Sequence, residues 1–264
     1  MKVYATRSVD HFQYDGVNTA TTETFASDPI NSLIRESFQN SLDVNLSDDT
    51  PVIIKIKNHN IDKNLIPDFK ELIKIIHAAK NDERGKNDND VQNFYKNILN
   101  DLKGNRINVL EISDYNTKGA KGSDSNGKWN GLTRSEGRSD KDNNTSLGAF
   151  GIGKNAILNF SKMKFIIYST FVESENKCKC IGKARFTSFK MDNNYYNPDI
   201  RLGHKKDTQV YSVNNLENKD SKKIFLRNKQ GTSQFLFLPD LSKKWQQDFI
   251  KTILRNYWLM IYND

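Results

Sequence analysis

The sequence predicts an α+β domain built on a largely antiparallel sheet, and three observations carry that prediction. After residue 163 come the apolar runs KFIIYSTF, CKCIGKARFTSF, TQVYSV, KKIFL and TSQFLFLP. Their connections are too short for repeated crossover helices, so these strands must pair antiparallel. Earlier in the chain, runs with apolar residues at helical spacing alternate with runs of period two. The 264 residues are 36% hydrophobic and 11% aromatic, enough to bury a core in one large domain or two small ones.

The elements follow in order. Ser27 and Asp28 are N-cap candidates and Pro29 suits a first helical turn, which predicts a helix over 29–45 with Ile34, Phe38 and Leu42 as its apolar stripe. PVIIKIKN alternates as a strand, and LIPDFKELIKIIHAAK has helical spacing. The charged NDERGKNDND reads as an exposed excursion before a second helix over 91–102, and INVLEISD is a strand ending in Asp114. From 115 to 146 the chain is poor in apolar residues and rich in Gly, Ser, Asn and Asp, the composition of a long mobile loop. GAFGIGKNAILNFSKM is a Gly-rich turn entering a helix. A last helix begins near Ser242, carries Trp245, Phe249, Ile253 and Trp258, and reaches Asp264 without a stop signal, so the native chain is expected to continue.

Composition narrows the function classes. No run approaches the ~18 consecutive apolar residues of a membrane span, and the N-terminus lacks a signal-peptide core, so a soluble cytoplasmic protein without a membrane partner is expected. Cys178 and Cys180 form a C-x-C pair, too few ligands for zinc, and read as reduced thiols. The net charge of +8 comes mostly from Lys scattered among Asn and Asp. DNA contact and a solvated Lys-rich surface are both open readings of it.

Within RESFQNSLDV, helical geometry sets Glu36, Asn40 and Asp43 within roughly 60° of one another. Alone, such a strip reads first as a water-facing polar face. Glycines 148, 151 and 153 permit close backbone approach to a phosphate, and a following helix N-terminus offers unpaired N–H groups, though Gly-rich turns also serve tight packing. The segment fits the P-loop pattern at every required position except the last, where Asn155 replaces the metal-binding hydroxyl. It follows DKDNNTSL rather than an apolar strand, which counts against both a P-loop and the partial dinucleotide pattern at Gly151, Gly153 and Ala156.

The order of these motifs resembles the GHKL ATPase superfamily: DNA gyrase B, the ninety-kilodalton heat-shock chaperone, histidine kinases and MutL, with MORC proteins related. Glu36, Asn40 and Asp43 match its Glu-x-x-x-Asn-x-x-Asp helix; Asp114 partly matches its Asp-x-Gly-x-Gly turn. The loop to Ser146 and Gly148 to Gly153 match its lid and second glycine box, and Gly231 with Thr232 its late Gly-Thr. The resemblance spans about residues 27–240 and implies a Bergerat-type sandwich, a mixed, mostly antiparallel sheet with helices on one face. It implies a domain over 1–241 with a mobile lid at about 115–146, and a C-terminal helix over 242–264 leading onward.

The resemblance also implies roles. Glu36 would be the general base acting on the attacking water, and Asn40 would hold Mg²⁺ through its amide oxygen. Asp43 would support that network, and Asp114 would accept a hydrogen bond from the adenine amino group with Thr232 assisting. Gly148, Ala149, Phe150, Gly151, Ile152 and Gly153 would line the phosphates; Lys154 reads as either a phosphate contact or a solvated side chain. In DYNTKG, Asn116 occupies the first glycine position and Gly119 lies one step late; Asn tolerates a left-handed backbone, so the turn can survive. Arg134 and Arg138 of the lid could fold over ATP. The implied activity is Mg-dependent ATP hydrolysis, with lid closure driving homodimerisation or engagement of a downstream domain or effector. MORC-like or chaperone-like bacterial ATPases, some serving phage defence, are nearest in motif style. A nucleotide-sensing switch with little hydrolysis is the alternative.

Overall fold

The computed structural model describes residues 1–8, 13–17, 27–47, 49–134 and 153–263. Nine strands form one sheet: β1 (Lys2–Arg7), β2 (Ile53–Asp62), β3 (Arg106–Tyr115), β4 (Phe165–Val172), β5 (Lys177–Arg185), β6 (Phe189–Met191), β7 (Asn194–Lys206), β8 (Gln209–Tyr211) and β9 (Gly231–Phe237). Seven α-helices accompany them among the described residues: α1 (Pro29–Leu42), α2 (Phe69–Lys80), α3 (Asn89–Asp101), α4 (Gly127–Thr133), α5 (Gly153–Asn159), α6 (Lys219–Phe225) and α7 (Trp245–Asn263). The main strand order is β1-β7-β5-β4-β9-β3-β2, with β6 and β8 pairing to β7. Every pairing among these strands is antiparallel, and for β4–β5, β6–β7 and β7–β8 the short connections require it.

The central strands β3, β4 and β9 are buried on both faces, which is why they read as continuous apolar runs. Their side chains alternate between two cores. Ile107, Val109, Phe165, Ile167, Phe235 and Phe237 join residues of α2, α3 and α6. Leu110, Ile112, Ile166, Tyr168 and Leu236 join Leu33 and Ile34 of α1, Trp129 of α4, Ile157 and Leu158 of α5, and Phe249 of α7. The α+β class holds, and one feature of the expected sandwich is corrected: helices cover both sheet faces, because both faces are apolar.

Local chemistry explains the elements. The Asp28 carboxylate caps α1 by accepting from the Asn31 N–H at 3.2 Å, with Pro29 in the first turn. The helix ends at Leu42, three residues earlier than expected, so Asp43 is its C-cap. KKIFL, expected as a strand, lies in α6 instead: Asn218 caps that helix through the Asp220 and Ser221 N–H groups. Within the expected loop, α4 forms around a fully buried Trp129. Trp245, Phe249, Ile253 and Tyr257 of α7 belong to or pack on the second core, and Tyr257 meets Phe38 of α1 at 5.2 Å. Trp258 leaves that packed stripe and joins Ile250, Leu254 and Ile261, all at least half exposed. No described helix is long and apolar enough to cross a membrane.

Candidate functional site

Asp114 lies at the end of β3, where three distant parts of the chain meet it. Its Oδ1 accepts from the Thr232 N–H at 2.9 Å and from the Thr117 hydroxyl. Its Oδ2 is 3.4 Å from the Ser41 hydroxyl of α1. Burial pushes its carboxyl above the usual carboxylate range, against the opposing influence of Thr117, Thr232, Arg227 and Ser41. The Ser41 hydroxyl also donates to the Ser37 carbonyl at 3.0 Å, and a carboxylate offers about four lone-pair sites, so acceptor capacity remains on Oδ2.

The turn after Asp114 is built as the spacing DYNTKG suggested. Asn116 has φ 58° and anchors its amide on the Pro51 carbonyl at 3.0 Å, so an asparagine does hold the left-handed position. Gly119 has φ 66°, and a Cβ there would sit 2.9 Å from the Phe171 carbonyl and 3.1 Å from Thr170 Oγ1. Thr170 ties this turn to the Gly-Thr: its hydroxyl accepts from the Ala120 N–H at 3.0 Å and donates to the Gly231 carbonyl at 3.0 Å. The Thr170 and Thr232 hydroxyls are 3.3 Å apart.

On α1, Asn40 Nδ2 donates to Glu36 Oε1 at 3.1 Å. The amide nitrogen is thereby engaged, and its oxygen is the atom left to meet a cation. Glu36 acts electrostatically on Tyr168 of β4, whose phenol burial already pushes up and whose shift Arg201 opposes. The Glu36 and Asn40 side chains are both half-buried. Asp43 is exposed at the C-cap and is not shown joining the Glu36 and Asn40 pair. The inward face of α1 instead carries Ser37 and Ser41 beside Leu33 and Ile34. Ser37 Oγ and Gln234 Oε1 are buried without a hydrogen-bond partner.

The helix that follows the Gly-rich segment, α5, packs against α1. Gly148, Ala149, Phe150, Gly151 and Ile152 lie outside the described residues, as does Arg138; Gly153 and Lys154 open α5. Arg134 is tied to Asp124, 3.1 Å away, which also accepts from the Trp129 indole at 3.2 Å.

Several participants have no signature in the sequence order. Arg227 donates to the Asp114 and Thr232 carbonyls. Ser41, Thr117 and Thr170 are equally anonymous, because only strand pairing reveals their neighbours. The sole local hint was a polar residue at a buried position of an otherwise apolar helix face.

Among the described residues no group of three His, Cys, Asp or Glu side chains could hold a metal. Mg²⁺ commonly takes one or two protein oxygens and completes its shell with water and phosphate, so a single amide oxygen at Asn40 is compatible. The two orphaned polar atoms mark a seam between α1 and the sheet that a polar ligand would satisfy. Compared with known proteins, the chain matches no family model and no curated sequence.

Proposed function

We propose that this protein is an Mg-dependent ATP-binding module that hydrolyses ATP to ADP and phosphate. The observation that supports this reading is the convergence on one buried carboxylate, Asp114, of α1 through Ser41, the turn through Thr117 and β9 through Thr232. When ionised, a carboxylate fixed in this way is an acceptor suited to an exocyclic amino group. The Glu36 carboxylate, beside Asn40, would orient and deprotonate water. The Asn40 amide oxygen would hold Mg²⁺, which when bound neutralises charge on phosphate oxygens. Lys154, closely following the Gly-rich segment, is the nearest cation to it in sequence. Closure of the segment before α5 over the nucleotide would alter the surface offered to a second copy, a downstream domain or an effector. DNA remains compatible with the +8 charge as a further partner.

Calorimetry with ATP, GTP and a non-hydrolysable ATP analogue, with and without Mg²⁺, tests the proposal. Adenine preference and metal dependence are expected. Asp114→Asn is expected to weaken ATP binding, and unchanged affinity in that variant would sink the assignment. Glu36→Ala separates catalysis from sensing: an ATPase keeps binding and loses turnover, whereas a switch has little turnover to lose.

A further inference from the structure

Arg227 lies in the segment between α6 and β9, and all five of its N–H donors are used. Nε donates to the Lys229 carbonyl at 2.8 Å. Nη1 donates to the Thr232 carbonyl at 2.9 Å and Ser233 Oγ at 2.8 Å. Nη2 donates to the Gln230 carbonyl at 2.9 Å and to the Asp114 carbonyl. The guanidinium also lies 4.5 Å from the Tyr115 ring centroid. Every one of these acceptors is neutral, and the side chain is buried.

A buried cation held only by dipoles is costly unless a charge of opposite sign lies near. Asp114 supplies that charge. Burial drives both groups toward neutrality, and each opposes that drive in the other. Around the Asp114 carboxyl, α1 contributes the Ser41 hydroxyl, the turn the Thr117 hydroxyl, β9 the Thr232 N–H and β2 the apolar Ile54 across the ladder. The charged contribution comes from Arg227.

We propose that Arg227 determines base specificity: its charge, fixed behind the ends of β3 and β9, favours the ionised, purely accepting form of the Asp114 carboxyl against the burial that opposes it. The inference rests on the nucleotide reading above. An ionised carboxylate matches the amino group at position 6 of adenine and repels the carbonyl at position 6 of guanine. A protonated carboxyl could donate to that carbonyl and would discriminate less. Selection of adenine would then depend on a residue that touches no part of the base.

The test combines two readouts. Carbon-13 carboxyl titration of Asp114, assigned with Asp114→Asn, is run without nucleotide on the wild type, Arg227→Lys and Arg227→Met. Affinities for ATP and GTP are measured on the same proteins between pH 5 and pH 8. In Arg227→Met the Asp114 midpoint is expected to rise by about one unit or more, a tenfold change in the protonation ratio. The ATP-to-GTP affinity ratio is expected to fall about tenfold at a pH between the two midpoints. Arg227→Lys keeps the charge and is expected to keep most of the selectivity. Equal loss in the Lys and Met variants, or an unmoved midpoint in the Met variant, overturns the inference. Should the Met variant fail to fold, the wild type still decides: its selectivity must fall in step with the titration of Asp114, and a flat ratio through that titration overturns the claim. A wild type that binds neither nucleotide overturns the nucleotide reading together with it, whereas tight binding whose selectivity ignores Arg227 overturns this inference alone.

Discussion

Replacing Gly231 by alanine is the sharpest perturbation of the Asp114 region, because it strains the backbone and invades the site together. Gly231 has φ 123°, a conformation that L side chains rarely adopt. A Cβ there would overlap Arg227 Nη2 and the Asp114 carbonyl, and would lie 2.7 Å from Asp114 Oδ1. The carbonyl is backbone within the β3 and β9 ladder, and the guanidinium is fixed by its five donors, so neither can withdraw freely. Backbone strain of this kind costs about 1–3 kcal/mol. Forcing atoms into a packed region costs roughly another 1–3 kcal/mol. Loss of chain entropy in the unfolded state returns about 0.4–1 kcal/mol. The net loss is therefore roughly 1–6 kcal/mol. Gly131→Ala is the control: it lies inside α4 with nothing within 4 Å of the added Cβ, and is expected to gain about 0.5–1 kcal/mol. Urea unfolding followed by circular dichroism reads both, provided the slopes agree. A Gly231→Ala protein as stable as wild type would refute the reasoning, since that reasoning sets a floor of about 1 kcal/mol.

Other expectations can be checked with the same protein. Trp129→Ala removes a fully buried ring and its hydrogen bond to Asp124, and is expected to cost about 3–5 kcal/mol and expose residues 115–134 to limited proteolysis; an unchanged digestion pattern counts against Trp129 as the anchor. Ser37→Ala deletes a buried hydroxyl without a partner, so unliganded stability is expected to hold or rise by up to about 1 kcal/mol, and a comparable loss would reveal a partner for it. Burial pushes Lys164 down to about 8, so between that pH and its higher unfolded value the unfolded chain binds more protons than the folded one. Wild-type stability relative to Lys164→Met is therefore expected to rise from pH 8 to pH 10, and denaturant midpoints across that range would contradict this if the difference stayed flat.

The fold was legible where local pattern and burial agree. Asp28 and Pro29 announce α1, and the alternation in β2 and the apolar runs of β3, β4 and β9 announce their strands. β7 was hidden because Pro198 and Asp199 interrupt its alternation; both fall where the β1 to β7 register shifts between Ala5 and Arg7, an irregularity at which a strand can accept proline. KKIFL looked like a strand because Phe225 is a core residue, yet Asn218 and Asp220 upstream are helix-start signals that outweigh its period. The second helical layer was not foreseen because a run buried on both faces has no orientation to read. At the site, Asp114, Gly119, Gly231 and Thr232 were legible through motif order and backbone need. Ser41, Thr170 and Arg227 were not, since each owes its place to pairing across fifty residues or more.

The seam between α1 and the sheet has the wrong chemistry for stability alone. Leu33 and Ile34 show that this helix face can bury aliphatic side chains, yet the next turn presents Ser37 and then Ser41. Opposite lie Asp114, Thr170, Thr232 and Gln234, polar groups inside an otherwise apolar layer. A carboxyl kept above its ordinary range and two orphaned polar atoms each weaken the folded state. Apolar residues of similar size would remove those costs, as they often do for buried polar clusters. Polar groups that a fold does not need are most simply explained by a ligand that does, and strained or under-satisfied positions concentrate where function opposes stability. Under the proposed function, ATP bound at this seam is expected to raise the unfolding free energy with the logarithm of its concentration over its Kd.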